Sequence, residues 1–471
     1  MRIARTVTAS MMLTVFAAGS ALADQPTASD LRQPLSVQQV AFEYDSYLSF
    51  APEDEVSPSP SDAPAVAETP APAKTYYYQP QRGKRRACRS CNSCGDGFFG
   101  RTCCCGNLPD PWTIGQPCAL QRRGITVGGW FSAGVYANEY DNDNNGPLGF
   151  NNVGNEFTSN QNWIYLSREA DTGGYGVDWG FRFDYVFGVD GPDTQAFGDQ
   201  SWDFGWNSTD EYGSAIPQLY FDLAIDDLTI RMGHFYTPIG YEVVPAPNNF
   251  FYSHSYTMYY GEPFTHTGFL MDYAYADNLH FYGGWTAGWD TGFSNDNDAS
   301  TFLGGIAWDM TDRASLAWMV TFGEFGYVGG QSLGDVYGNS IVFTYELAER
   351  LTYVLQHDLG VNDNLGVADS EWYGLNQYLL YKINECWGAG LRFEWFRDDD
   401  GARVPIEGGP GNAGDYYALT AGLNWRPHAN ITVRPELRYD WYDGSLANGA
   451  PFDDGTQTHQ FSGGFDFIVT F

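Results

Sequence analysis

Positive charge is scarce in this sequence of 471 residues: 24 Lys and Arg stand against 58 Asp and Glu, a formal net charge of -34. A protein that binds nucleic acid needs a basic face to neutralise phosphates, so this balance excludes nucleic-acid binding as the leading function. Charged residues of both signs make up only 17% of the chain, which is low for a soluble protein of this size.

Long apolar runs are also missing after residue 23, because charge, Gly or Pro interrupts every later stretch. A membrane-spanning helix needs ~20 apolar residues, so the sequence predicts no helical span in the mature chain.

The apolar run at 7–22 follows Arg2 and Arg5 and ends at Ala21-Leu22-Ala23. It is too short and too rich in Ser and Thr for an anchor, so we interpret residues 1–23 as a cleavable signal peptide.

Aromatic residues and glycine are abundant instead: the chain has 32 Tyr, 32 Phe, 15 Trp and 55 Gly. A transmembrane β-barrel uses such a composition, because aromatic girdles mark both membrane interfaces while small or polar side chains face the lumen. Three zones follow the signal peptide. Residues 24–87, Pro/Ala-rich and then basic, are predicted to be a disordered linker. Residues 88–123 are Cys-rich, and 124–471 have the pattern of strands, against which we expect 24–120 to pack little.

Apolar and polar residues alternate along many segments, including 175–187, 387–395 and 431–441. Period-2 alternation predicts strands with one apolar and one polar face, and the segments are long enough to cross a bilayer at a tilt. The pattern predicts lipid-facing side chains at Ile431, Val433, Leu437, Phe465 and Phe467, and inward ones at Arg434, Glu436 and Arg438.

Long polar connections alternate with tight ones along the whole strand-rich region, eight long and seven short. Outer-membrane barrels have this asymmetry between extracellular loops and periplasmic turns. The fold class is therefore all-β, a transmembrane antiparallel up-and-down β-barrel of about 16 strands with both termini periplasmic. Fourteen or eighteen strands remain alternatives.

The final segment is amphipathic and ends in Phe471. It is similar to the terminal strand of bacterial outer-membrane proteins, which implies that Phe471 is an assembly signal read by the barrel-assembly machinery. The sequence also resembles the OmpL-like outer-membrane β-barrel porins, most densely in RMGHFYTPIG at 231–240, NNFFY at 248–252 and GEPFTHTG at 261–268. That resemblance implies an outer-membrane porin without catalytic residues.

Charges of both signs occupy inward positions of the predicted strands. They could impose a transverse field on a water-filled bore, or simply pair across strands and solvate the lumen. These candidate pore-lining residues are Asp178, Arg182, Asp184, Asp222, Arg231, Glu346, Arg392, Glu394, Arg434, Glu436, Arg438 and Asp440.

The connection at 237–264 is unusually rich in aromatic residues and proline. Because such a loop is costly to expose, we expect it to fold inward and narrow the pore; an ordered cap on the rim is the alternative. The candidate constriction residues are Tyr241, Glu242, Phe250, Phe251, Tyr252 and Tyr256.

Seven cysteines cluster near the N-terminus. An oxidising periplasm favours disulfides among them, while a metal site, lipid attachment or links between chains are alternatives. An odd count, and Cys386 in a predicted strand, suggest a thiol that is free or paired between chains. The cluster comprises Cys88, Cys91, Cys94, Cys103, Cys104, Cys105 and Cys118.

The Asp/Asn tracts at 141–146 and 295–298 could offer oxygen ligands to Ca²⁺, but turn propensity alone explains them. We expect no cofactor otherwise. No nucleophile elbow or HExxH motif accompanies the histidines, so an enzyme is not expected. The sequence predicts a porin for passive diffusion of small hydrophilic solutes or ions in the outer-membrane lipid, and a homo-oligomer is compatible with this prediction. A surface adhesin without channel activity is the alternative.

Overall fold

A computed structural model describes residue 108 and residues 111–196, 202–206, 211–293, 298–328, 331–363, 369–406 and 411–471. Sixteen antiparallel strands form one closed barrel, in which neighbours along the chain are neighbours in the sheet. The predicted all-β, up-and-down architecture and its strand number are therefore confirmed. Residues 1–107, which include the predicted signal peptide, the linker and six of the clustered cysteines, lie outside the described residues.

The barrel strands in the first half of the chain are β1 Thr126–Asn138, β2 Phe157–Arg168, β3 Val177–Gly188, β4 Gly213–Ile225, β5 Leu228–Tyr236, β6 Thr265–Ala276, β7 Leu279–Thr286, β8 Ser300–Thr311 and β9 Ala314–Glu324. A separate two-stranded hairpin follows, β10 Tyr327–Val328 and β11 Gln331–Ser332. The remaining barrel strands are β12 Asp335–Ala348, β13 Leu351–Asn362, β14 Ser370–Lys382, β15 Trp387–Asp398, β16 Gly414–His428, β17 Ile431–Gly444 and β18 His459–Thr470.

Short helical turns lie in the connections. They are α1 Cys118–Gln121, α2 Asp190–Thr194, a 3-10 turn at Ala246–Asn248 and a π turn at Thr257–Gly261. None of the described helices is long and apolar enough to cross a membrane.

The last strand closes the ring by pairing with the first. β1 and β18 run from Trp130 opposite Thr470 to Asn138 opposite Ser462. The final residue extends this seam, because the Phe471 N–H donates to the Gly129 carbonyl at 2.9 Å and its carbonyl accepts from the Gly129 N–H at 3.1 Å. No barrel edge is left open, which a sheet in hydrocarbon requires.

The connections alternate in length between the two ends of the barrel. One end, the short-turn end, has tight turns such as 226–227 between β4 and β5, where Asp226 adopts a positive φ of 51°. The other, the long-loop end, carries all the extended loops. Both the start of β1 and the end of β18 lie at the short-turn end, as the even number of strands requires.

The outer faces of the strands are apolar and exposed. Leu437 is 56% exposed and Phe465 45%, whereas the intervening Arg438 and Asp466 are buried on the inner face. Aromatic pairs mark both ends of this surface: Trp387 stacks on Trp425 near the short turns, and Tyr417 on Trp441 near the long loops. These are the two girdles of a membrane-embedded barrel.

The segment before the barrel docks on its short-turn end, unlike the expectation for residues up to 120. The Trp112 N–H donates to the Asn430 side chain at 2.8 Å, and Asn430 returns a bond to the Trp112 carbonyl at 2.7 Å. The Gln116 amide pairs with both backbone groups of Val127. Cys386 lies in the turn after β14 rather than in a strand, and it is disulfide-bonded.

Candidate functional site

The loop at 237–264, between β5 and β6, lies inside the barrel rather than on its rim; we call it the inner loop. Its side chains Phe251, Tyr252, Met258 and Tyr260 are buried. The loop is held at its base, because the Thr237 N–H donates to the Phe264 carbonyl at 3.2 Å. The loop therefore lies in the lumen of the barrel.

One side of the barrel wall meets the inner loop with charged side chains, which we call the charged arc. All of them point inward and are at most 5% exposed. The charged arc consists of Arg392 and Glu394 on β15, Arg434, Glu436, Arg438 and Asp440 on β17, and Asp466 on β18.

Arg434 links two strands to the loop. Its guanidinium forms a two-pronged ion pair with Asp466, with N–O distances of 2.9 and 2.7 Å. The remaining nitrogen donates to the loop carbonyls of Ala246, Asn249 and Phe251 at 2.7–2.9 Å. Each charge-assisted bond of this type contributes about 1.5–3 kcal/mol in net terms, so Arg434 is a major attachment point of the loop.

The carboxylates of the charged arc accept from loop N–H groups in consecutive pairs. Glu436 accepts from Tyr252 at 2.8 Å and Ser253 at 3.2 Å. Glu394 accepts from Tyr256 at 2.9 Å and Thr257 at 2.7 Å. A carboxylate has enough lone pairs for both donors, so buried loop N–H groups find partners that an apolar wall could not provide.

Two more arginines hold loop carbonyls. Arg438 donates to the His254 carbonyl at 2.6 Å while it pairs with Asp440 at 2.8 Å. Arg392 donates to the Ser253 carbonyl at 2.7 Å and to the Glu242 carboxylate at 2.6 Å. Each of the three arginines of the charged arc thus binds the loop and also a side chain of the wall, which for Arg392 is the Thr420 hydroxyl at 3.2 Å.

Glu242 is the loop's own contribution to this ion network. It also accepts from the Ser255 N–H at 2.7 Å. Burial raises the pKa of this carboxyl, but the Arg392 guanidinium outweighs burial and holds the pKa below its ordinary value. Glu242 is therefore ionised at neutral pH and pairs with Arg392 as a charged group.

The opposite side of the wall is apolar at mid-depth, contrary to the expected polar inner face. Leu270 is buried while Phe269 and Met271 beside it are exposed on the outside, so Leu270 points inward. We call the buried inward side chains of this side the apolar arc: Tyr220, Phe235, Leu270, Leu303, Met319, Val342, Val354 and Tyr378. Ile239 and Phe251 of the inner loop pack against it, each stabilised by about 1.5–3 kcal/mol on full burial.

Glycines in the wall make room for the loop's rings. A Cβ on Gly390 would lie 2.4 Å from the Phe250 ring, and one on Gly422 would lie 3.1 Å from the Phe251 ring. The approach at Gly390 leaves no room for a side chain unless the ring moves, whereas a Cβ at Gly422 would need the ring to shift by only a few tenths of an ångström. The Tyr241 ring packs on Tyr378 with centroids 4.7 Å apart.

The end of the inner loop is fastened differently. Glu262 is buried beside Asp358 on β13, and Gln356 donates to it. Burial and the neighbouring Asp358 together raise the pKa of Glu262 well above its ordinary value. The Trp372 indole also donates to the Gly261 carbonyl at 2.9 Å. A carboxyl kept neutral can share a proton with its neighbour instead of repelling it.

The other predicted pore-lining residues lie on β3, β4, β5 and β12, outside the charged arc. Arg182 and Asp184 form a buried pair at 2.6 Å, and Asp222 pairs with Arg231 at 2.8 Å across β4 and β5. Asp178 pairs with Arg168 at 3.0 Å near the short turns. Glu346 is half-buried near the short-turn end of β12. Apart from Glu346, these side chains form ion pairs across or along strands.

Sequence reasoning missed several partners of the loop. Gln161 on β2 accepts from the Ala246 N–H and donates to the Val244 carbonyl, and Asp466 orients Arg434. Asp466 alternates with Phe465 and Phe467, so its inward position could have been found from the pattern. The Gln161 contact depends on the path of an irregular loop and leaves no periodic signal.

The described residues include no group of three or more His, Cys, Asp or Glu that could hold a metal. In the tract at 141–146, side-chain oxygens serve turn hydrogen bonds, such as Asn144 to the Gly146 N–H at 2.9 Å. Much of the tract at 295–298 is outside the described residues. Cys118 is free and exposed, and the other six clustered cysteines are not described.

A closed sixteen-stranded barrel with an inward loop is the architecture of a porin, and the sequence bears this out. Residues 124–471 match the family described as beta-barrel porin-2, OmpL-like. The match spans well over half of the chain, so this chain belongs to that family.

Solved structures share the fold at low sequence identity. The outer membrane channel DcaP of Acinetobacter baumannii has a TM-score of 0.52 at 12% identity, covering 74% of this chain and 97% of its own. The anion-selective porin of Comamonas acidovorans has a TM-score of 0.49 at 11% identity, with 74% and 99% covered. OmpT of Vibrio cholerae has a TM-score of 0.46 at 12% identity, with 74% and 97% covered. No curated protein matches this sequence.

Proposed function

We propose that the protein is an outer-membrane porin through which small hydrophilic solutes or ions diffuse passively, with the inner loop setting the limiting width. The family and the fold support a channel. The single observation that carries the loop's role is its docking on the charged arc, where Arg392, Arg434 and Arg438 all bind its carbonyls. A loop held by so many charge-assisted bonds is a fixed element of the lumen.

The distribution of charge favours cations among the solutes. The eight long loops, as bounded by the barrel strands, contain twenty-two Asp and Glu, one Arg and no Lys. Eighteen of these carboxyls remain when four are left out: Glu242, which is paired with Arg392, and Glu262, Asp190 and Asp290, whose pKa values burial raises well above the ordinary value. That one cation, Arg403, is buried. The arginines of the charged arc are covered by the inner loop, so they do not offset this negative field at the long-loop mouth. A mouth lined by one sign of charge concentrates ions of the other sign.

We also propose the expected route to the membrane. Residues 1–23 would direct export, and Phe471 would be read by the barrel-assembly machinery. The long loops would then face the outside and the short turns the periplasm, the arrangement usual for outer-membrane barrels.

Single-channel recording in planar bilayers tests the function directly. The wild-type barrel should conduct, and deletion of residues 245–260 should raise conductance and admit larger sugars. Deletion of the hairpin at 327–332, which pairs outside the barrel sheet, is the control and should leave conductance unchanged. An unchanged conductance after the 245–260 deletion in a folded barrel would remove the loop from the pathway. A folded wild-type barrel that never conducts would exclude a porin.

A further inference from the structure

Cys386 is a buried, disulfide-bonded residue at the rim of the short-turn end. It lies in the turn between β14 and β15 and is 2% exposed. Its carbonyl accepts from the Arg426 N–H at 2.8 Å, which fixes it against the end of β16.

We propose that Cys386 pairs with one of the cysteines of the segment 88–105, so that the Cys-rich segment is covalently fastened to the periplasmic rim of the barrel. The chain has eight cysteines, and Cys118 is free. Within one chain the partner of Cys386 is therefore one of six residues: Cys88, Cys91, Cys94, Cys103, Cys104 and Cys105.

The path of the described chain independently leads to the same place. Trp112 is held by two hydrogen bonds to Asn430, and its ring lies 5.9 Å from that of His428. His428 is two residues beyond Arg426, the residue that contacts Cys386. The docked segment thus reaches the rim beside Cys386.

Chain length permits the link for each candidate. Cys105 precedes Trp112 by seven residues, which can span up to roughly 25 Å when extended. Neighbouring strands are only about 5 Å apart, so the turn that holds Cys386 is well within this distance. The earlier cysteines have still longer tethers.

The bond forms by thiol–disulfide exchange with an oxidised protein dithiol, the class of oxidant found in the periplasm. The Cys386 sulfur and its partner sulfur each give up one hydrogen as the S–S bond forms. Two electrons and two protons pass to the oxidant's disulfide, which leaves as a dithiol.

Mass spectrometry of the full-length protein tests the pairing. The protein is extracted from membranes without reductant in the presence of an alkylating agent, and is then digested completely with trypsin. We expect the peptide 383–392 to be linked to 87–89, 90–101 or 102–122. Because 102–122 contains Cys118 as well as Cys103, Cys104 and Cys105, fragmentation spectra are used to assign the linked sulfur, and we expect Cys118 to be alkylated. Alkylated Cys386, or a link to Cys118 or to a second Cys386, would overturn the proposal.

Limited proteolysis gives a second measurement. Cleavage after the exposed Arg122 and Arg123 should leave the N-terminal fragment attached to the barrel until reductant is added. Cys386→Ser should release the fragment without reductant, whereas the matched control Cys118→Ser should retain it. A fragment that leaves the wild-type barrel without reductant contradicts the tether. The mass spectrum of the wild-type protein decides the question even if Cys386→Ser does not fold.

Discussion

The charged arc and the apolar arc hold the same loop by opposite means. The charged arc binds the loop's backbone. Arg434 alone donates to three carbonyls, and Glu394 and Glu436 each accept from two N–H groups. The apolar arc binds only its side chains, such as Ile239 and Phe251. An irregular loop brings unpaired backbone groups into the barrel, and these groups require polar partners on at least one side.

The difference shows what each side can specify. Hydrogen bonds are directional, so the charged arc fixes where each loop residue lies. Apolar packing is non-directional and contributes mainly burial. The Phe250 and Phe251 rings are placed more closely, because they lie against Gly390 on β15 and Gly422 on β16, two positions that we call ring seats. The charged arc therefore determines the position of the loop, and the apolar arc contributes to its stability.

The largest expected effect comes from removing the central fastening. Arg434→Ala leaves Asp466 as a buried unpaired charge and three loop carbonyls without a donor, a loss of about 3–5 kcal/mol. Unfolding in urea should show the loss, and single-channel conductance should rise as the loop loosens. Arg168→Ala is the control, because Arg168 pairs with Asp178 near the short turns. Equal changes in conductance in the two variants would refute a specific role for the charged arc.

A smaller effect should follow from filling a ring seat. Gly390→Val places a side chain where the Phe250 ring lies, and overpacking of this kind costs about 1–3 kcal/mol. We expect a modest rise in conductance with the charged-arc contacts intact. Gly388→Ala is the control, since its Cβ would lie 3.3 Å from the same ring and needs a shift of only a few tenths of an ångström. If Gly390→Val conducts as the wild type does, the ring seat does not position the loop.

The two carboxyls of the loop should give opposite pH dependences. The pKa of Glu242 lies below its ordinary value, so its contribution to docking is present above pH ~4.5 and is lost as pH falls through the lowered pKa. The pKa of Glu262 is raised, so its contribution is full below pH ~4.5 and is lost as pH rises through the raised pKa. Hydrogen exchange of the loop against pH measures both.

Glu262→Gln should remove the weakening at high pH, and Glu242→Gln the weakening at low pH. Each variant serves as the control for the other. If a single variant removed the weakening at both low and high pH, the two ends of the loop would not be held independently.

The smallest effect concerns the exposed acidic residues of the long loops, since the inner loop covers the charged arc. Reversal potentials in a KCl gradient should show a cation preference that decreases in the triple variant Glu139→Gln, Asp141→Asn and Asp454→Asn. The preference should fade in 1 M salt, where the Debye length is ~3 Å. Asp226→Asn and Asp277→Asn at the short turns are the control. Anion preference in a conducting wild-type channel would show that buried arginines still govern the field.

Period and loop length were enough to predict the barrel, its sixteen strands and the inward charges of β17. Alternation carries that information because each strand has one face against lipid. The pairing of Arg434 with Asp466 depends on the register between β17 and β18, and the bond from Gln161 to the loop depends on an irregular path. The apolar arc escaped prediction for another reason: short segments apolar on both faces, such as that around Leu270, carry no alternation.

The seam between β1 and β18 sets the order in which the protein can be built. β18 is the last of the barrel strands to be synthesised, so the ring cannot close until β18 has been made. The inner loop, synthesised nearly 200 residues before β17 and β18, has to wait for Arg434 and Asp466 before its backbone finds these partners. Ring closure and loop docking therefore fall late and together, and contacts so distant in sequence make both steps slow. A chain truncated before β18 would lack the closing strand and the Asp466 that orients Arg434, and so would be left with an open edge and a loosened loop.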